Sequence, residues 1–192
     1  MKKIFGKIDY NSPVILSFAS ISFAVLILNY ITLGISNSLL FSVYRSSLIN
    51  PLTYVRMFTH VLGHMDFEHY MGNMLMILLV GPILEEKYGS KTMIECIAVT
   101  AFITGLVNFI FFPGVSLCGA SGIVFMMIVM SSVVSVKSGK IPLTLILVVI
   151  LYLGDQIVAG ILDYDDISQL THIVGGILGG IYGMMLRTEV GK

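Results

Sequence analysis

The sequence predicts an all-α polytopic membrane protein with six transmembrane helices. Three observations carry that expectation. The 192 residues are 56% hydrophobic and 11% charged, with a mean hydropathy of +0.95, whereas soluble domains carry about 25% charged residues. From Cys96 to Val136, 41 residues pass without an Asp, Glu, Lys or Arg. A single helix of that length would be about 60 Å long, roughly twice the hydrocarbon thickness. The run must therefore form two spans, and Pro113-Gly114 marks the turn between them. Third, the cations fall unevenly between the two sides that six spans define. Lys2, Lys3, Lys7, Lys87, Lys91, Lys137, Lys140, Arg187 and Lys192 lie on one side; Arg45 and Arg56 lie on the other. The excess marks the cytoplasmic side and puts both termini there. The length fits one membrane domain over 1–192.

The spans follow in order. Lys2, Lys3 and Lys7 before an apolar run look like a signal peptide, but the uncharged stretch from Tyr10 to Tyr44 is too long for one. Residues 13–34 are expected as a retained first span. The second is expected over 69–84, the third and fourth over 92–112 and 121–136, the fifth over 141–159 and the sixth over 167–186. Residues 35–68 hold Pro51, Arg45, Arg56 and Asp66 among many apolar residues, which fits an amphipathic, half-submerged outer loop. The acidic run Asp163-Tyr164-Asp165-Asp166 fits a solvated outer loop. Cys96 and Cys118 both fall in apolar segments and define no disulfide framework; each reads as a small buried hydrophobe. A net charge of zero offers nothing to nucleic acid.

Polar residues inside such spans point to chemistry. Ser121 sits in Cys118-Gly119-Ala120-Ser121-Gly122 and opens the fourth span, where it could serve as a nucleophile. His172, at a similar depth in the sixth span, precedes Gly175, Gly179 and Gly183, whose spacing of four permits close helix approach. A Ser–His pair is the minimum for an activated serine. His69 and Asn73 share a face of the second span. They fit donors to a developing oxyanion and an interhelical polar cluster equally well. Asp155 could orient a histidine, though a solvated helix end suits it better, so a dyad is expected.

Together, Phe58-Thr59-His60, His64, His69 and Asn73, Gly119-Ala120-Ser121-Gly122, and His172 with Gly175 and Gly179 resemble the rhomboid intramembrane serine proteases. The motifs occur in the family's order, over about residues 50 to 186. The resemblance implies Ser121 as nucleophile and His172 as general base. It implies an oxyanion hole of His69, Asn73 and the Ser121 N–H. His64 and Glu85 would be structural, Glu85 with Lys87 resembling an acidic–basic pair after the second span. Gly119 and Gly122 frame the serine, and Phe125 matches a ring that packs on the catalytic histidine. Gly175 and Gly179 would support contact between spans four and six. The family's Trp-Arg pair is Val55-Arg56 here, so Arg56 keeps the cation, and Thr171 replaces a smaller residue before His172. The resemblance implies cleavage of other proteins' transmembrane segments near the outer face of the plasma (inner) membrane, with lipids as surroundings and no metal or cofactor. The competing readings are a non-catalytic rhomboid-like binding protein and a transporter using His60, His64 and His69. The first would typically lack the serine or histidine, and the second lacks an evident inverted repeat.

Overall fold

The computed structural model describes residues 10–134, 143–148, 150 and 166–190. Its regular elements are helices: α1 (Pro13–Ile31), α2 (Pro51–Thr59), α3 (Phe67–Tyr88), α4 (Ser90–Phe111), α5 (Ser121–Val134), α6 (Leu143–Val148) and α7 (Asp166–Val190). A π-helical turn at Asn37–Phe41 and a 3-10 turn at His60–Leu62 flank α2. Four segments are long and apolar enough to cross a membrane: α1, α3, α4 and Gln169–Leu186 of α7. The expected fifth span, with Asp155, and the acidic run Asp163–Asp165 lie outside the described residues but for α6 and Ile150. So do Lys2, Lys3, Lys7, Lys137, Lys140 and Lys192.

α5 is the central helix. Its 14 residues run SGIVFMMIVMSSVV, and Ile123 to Ile128 and Met130 are all buried. A helix apolar on every side needs partners on every side, and α3, α4 and α7 supply them. Among the described helices the α5–α7 contact is the closest. A Cβ added at Gly175 would meet the Gly122 carbonyl, with Gly122 C at 2.9 Å. One at Gly179 would meet the Met126 carbonyl in the same way, and one at Gly183 would lie 2.8 Å from Val133 Cβ. Two rows with a four-residue step thus run along each other, backbone against backbone.

α3 outruns its expected bounds at both ends. Asp66 caps it by accepting from the His69 N–H at 2.8 Å, and the helix continues through Glu85-Glu86-Lys87 to Tyr88. Glu85 can stay in it because its carboxylate is buried and satisfied. It accepts from Val14 N and Ile15 N, each at 3.0 Å, and from the Ser90 hydroxyl at 2.7 Å. Pro13 opens α1 and has no N–H, so these are the first two free donors of that helix, where a negative charge is favoured. Lys87 is not its partner; that ammonium lies over the Tyr88 ring at 5.5 Å. Gly89, at φ +82, turns α3 directly into α4. α1 ends at Ile31 rather than 34, because Leu33 and Gly34 leave the helix with positive φ.

Between α1 and α3 the chain is folded tightly. Arg56 is buried, donates to Leu39 O (3.3 Å) and Ser46 Oγ (2.8 Å), and lies over the Tyr44 ring at 4.4 Å. Thr59 Oγ1 donates to Leu40 O. Val55, beside Arg56, is exposed. The guanidinium therefore ties α2 to the segment before it without an aromatic neighbour at position 55, alongside the Thr59 bond and those of Thr53 Oγ1 to Ser47 O (2.7 Å) and Tyr54 Oη to Leu48 O (3.1 Å).

Candidate functional site

Ser121 is the first residue of α5. Ala120 O accepts from Ile123 N (2.9 Å) and Val124 N (3.0 Å), so the helical ladder starts there. The Ser121 N–H consequently has no acceptor within its own helix and is available to a ligand. Its side chain is partly exposed, while Gly119, Ala120 and Gly122 around it are buried.

Gly119 is obligatory on two counts. Its φ is +131, which a side chain rarely tolerates. A Cβ there would also lie 2.7 Å from both Cε1 and Nε2 of His69, and 3.8 Å from Asn73 Nδ2. The structure thus brings His69 and Asn73 together against the backbone two residues before Ser121. Asn73 is buried, and its Nδ2 has no hydrogen-bond partner among the described residues.

His172 is buried in the first half of α7. The Phe125 ring, one turn past Ser121, stacks on its imidazole with centroids 4.4 Å apart and planes at 18°. The Thr171 carbonyl lies 3.6 Å from where a Gly122 Cβ would be. The first turn of α5 and the His172 turn of α7 are therefore neighbours.

His64 is fully buried behind this group. Its ring stands edge-on to His69 at 5.1 Å, and its carbonyl accepts from Asn37 Nδ2 at 2.8 Å. Burial, with His69 close by, holds its pKa down at about 4 against the opposing pull of the Leu62 carbonyl and Asp66. Burial likewise holds His60 at about 4 against the Arg56 and Met57 carbonyls. Both rings are therefore neutral near pH 7. Each has Nδ1 3.2 Å from a carbonyl oxygen, Arg56 O for His60 and Leu62 O for His64, so Nδ1 carries the proton in both. Burial also pushes the Cys118 thiol up, against a hydrogen bond with Ser42. Among the described residues no group of three or more His, Cys, Asp or Glu could hold a metal ion.

Sequence reasoning missed a polar stripe on α4. Thr100, Thr104 and Asn108 are buried at a spacing of four. Thr104 Oγ1 lies 3.4 Å from His60 Nε2, and its methyl lies 3.2 Å from where a Gly122 Cβ would sit. That spacing of polar residues inside the uncharged Cys96–Val136 run was the available signal.

The family model described as the Rhomboid domain matches residues 51–189, more than two-thirds of the chain. The chain belongs to the rhomboid family of intramembrane proteases and is an integral membrane protein. No curated protein matches it significantly.

Proposed function

We propose that this protein is a serine endopeptidase that cuts transmembrane segments of other membrane proteins near the outer membrane face. The stack of Phe125 on His172 carries the reading: it holds an imidazole beside the helix turn that begins with Ser121. Ser121 Oγ attacks the scissile carbonyl while His172 takes its proton. His172 then returns that proton to the leaving amine, and the acyl-enzyme forms. Water, deprotonated by His172, completes hydrolysis and restores Ser121. His69, Asn73 and the Ser121 N–H donate to the oxyanion. The unpartnered Asn73 Nδ2 supports this assignment, since a buried donor without an acceptor is costly unless something uses it.

In this reading residues 1–192 form one domain of six spans, with a membrane-associated outer loop between the first two. The cation excess supports cytoplasmic termini, and the reading takes the protein as a plasma-membrane one with the site opening outward. The substrates are transmembrane proteins, and neither metal nor cofactor takes part. Purified protein should react with a fluorophosphonate at Ser121 and cleave a tagged transmembrane substrate. Ser121→Ala should abolish both without lowering expression. Undiminished cleavage by that variant rejects the assignment.

A further inference from the structure

Ser121 is placed by the segment that leads into α5, and that segment is held by residues far from it in sequence. Besides the Cys118–Ser42 hydrogen bond, three attachments fix it. Val43 and Leu117 exchange both backbone hydrogen bonds, each at 2.9 Å. Gly119 N donates to His60 O at 3.0 Å. The third attachment is a side chain: Asn108 Nδ2 donates to Val43 O at 3.0 Å and to Val115 O at 3.2 Å. Asn108 is fully buried in the last turn of α4. One amide nitrogen therefore joins the segment before α2 to the segment before α5.

We infer that Asn108 is a positioning residue for the Ser121 nucleophile, clamping residues 115–119 to the Val43 segment. The inference rests on the protease reading above. The chemistry of the position favours an amide. Both acceptors are carbonyl oxygens, so the atom facing them must be a nitrogen with two hydrogens. A carboxylate would present only acceptors, and a hydrocarbon none. The clamp matters for geometry because Gly119 lies against His69 and Asn73 on α3, while Ser121 follows two residues later. A shift of the 115–119 segment moves the serine relative to the oxyanion donors and to His172 together. Asn108 is buried away from solvent, where a substrate would not reach it, so its loss is expected in the chemical step and not in binding.

The test uses the full chain in detergent, in a Cys118→Ser background. The parent and Ser121→Ala come first: a parent that is not labelled at Ser121 rejects the protease reading itself, independently of Asn108. Asn108→Leu should then slow fluorophosphonate labelling of Ser121 and lower kcat by roughly fivefold to tenfold, about the worth of one hydrogen bond, with KM unchanged. Adding Val43→Cys and Leu117→Cys offers a covalent substitute for the clamp. The two form a hydrogen-bonded antiparallel pair with Cα atoms about 5.5 Å apart, within disulfide range. Oxidation should restore labelling to the parent's rate, and reduction should lose it again. Parental kinetics in Asn108→Leu overturn the inference. So does a defect that the oxidised pair leaves in place, or a failure of the two cysteines to pair. Should Asn108→Leu not fold alone, the oxidised variant decides: labelling at the parent's rate supports the clamp and slow labelling overturns it.

Discussion

The rings of Phe125 and His172 lie 4.4 Å apart and nearly parallel, joining the second turn of α5 to α7. The contact fixes the imidazole plane from one side. Phe125 is also buried, so its ring serves both packing and orientation. Phe125→Ala would leave a cavity costing about 3–5 kcal/mol, which confuses the two roles. Phe125→Leu keeps most of the apolar contact and removes the stack. Aromatic pairs are worth about 0.5–1.5 kcal/mol, so kcat should fall by up to about tenfold. Steady-state kinetics on folded samples check this. Unchanged kcat would mean that the stack is packing alone.

His69 and Asn73 press on Gly119 from α3, and the Asn73 amide has no acceptor among the described residues. If they hold the oxyanion, each change to Ala should lower kcat by about 100-fold or more, the cost of losing one such donor. The remaining donor and the Ser121 N–H should keep some activity. Binding of an uncleaved substrate should change little. A rise in KM at constant kcat for both variants would assign them to substrate docking.

Much of the fold was legible because its signals are local. Pro13 opens α1, Pro113-Gly114 turns the chain, and Ser121 begins a helix where the glycine-flanked motif predicts one. The uncharged run gave the α4–α5 division on length alone. What the sequence hid were polar groups whose partners are remote. Glu85 reads as the acidic half of a pair with Lys87, yet it caps α1 some 70 residues away. Arg56 reads as a cation of a half-submerged outer loop, yet it is buried under Tyr44. The glycine ladder of α7 announced a close contact; its spacing carries no address, and only the resemblance named span four as the partner. Asn108 was passed over for the same reason, since its importance lies in backbone atoms elsewhere.

Gly175 and Gly180 offer a matched pair on one helix. A Cβ at Gly175 runs into the Gly122 carbonyl; at Gly180 it meets only Val129 Cγ1 at 3.9 Å, an ordinary contact. Both changes to Ala add the same methyl and the same helix propensity, a gain of up to about 1 kcal/mol. Gly180→Ala should therefore match or exceed the parent in melting temperature. Gly175→Ala must push α5 from α7, with a strain cost of about 1–3 kcal/mol. Because the displaced backbone adjoins Ser121 and His172, cleavage should fall as well. Thermal melting and cleavage of the same preparations decide it. Equal behaviour of the two variants would show that α7 does not rely on Gly175 for its approach.

The buried histidines give stability a pH dependence whose sign can be worked out. Burial holds His60 and His64 at about 4 in the folded state, against 6.5 when exposed. Above pH 6.5 both states leave the rings neutral, and stability is at its full value. Between pH 6.5 and 4 the unfolded chain takes up protons that the folded chain refuses, so stability falls with falling pH. Below about 4 both states are protonated at these sites, and no further loss comes from them. Each ring contributes on the order of 3 kcal/mol across that window, at 1.36 kcal/mol per pKa unit. The melting temperature in detergent should accordingly drop steadily from pH 6.5 to 4. His64→Gln removes one of the two titrating groups and keeps a side chain able to donate toward Leu62 O, the partner of His64 Nδ1. Its starting stability should be lower, but its slope between pH 6.5 and 4 should be shallower than the parent's. The slope is the informative quantity, because a purely structural defect lowers the whole curve without changing its inclination. A His64→Gln curve parallel to the parent's would show that His64 does not titrate in this way.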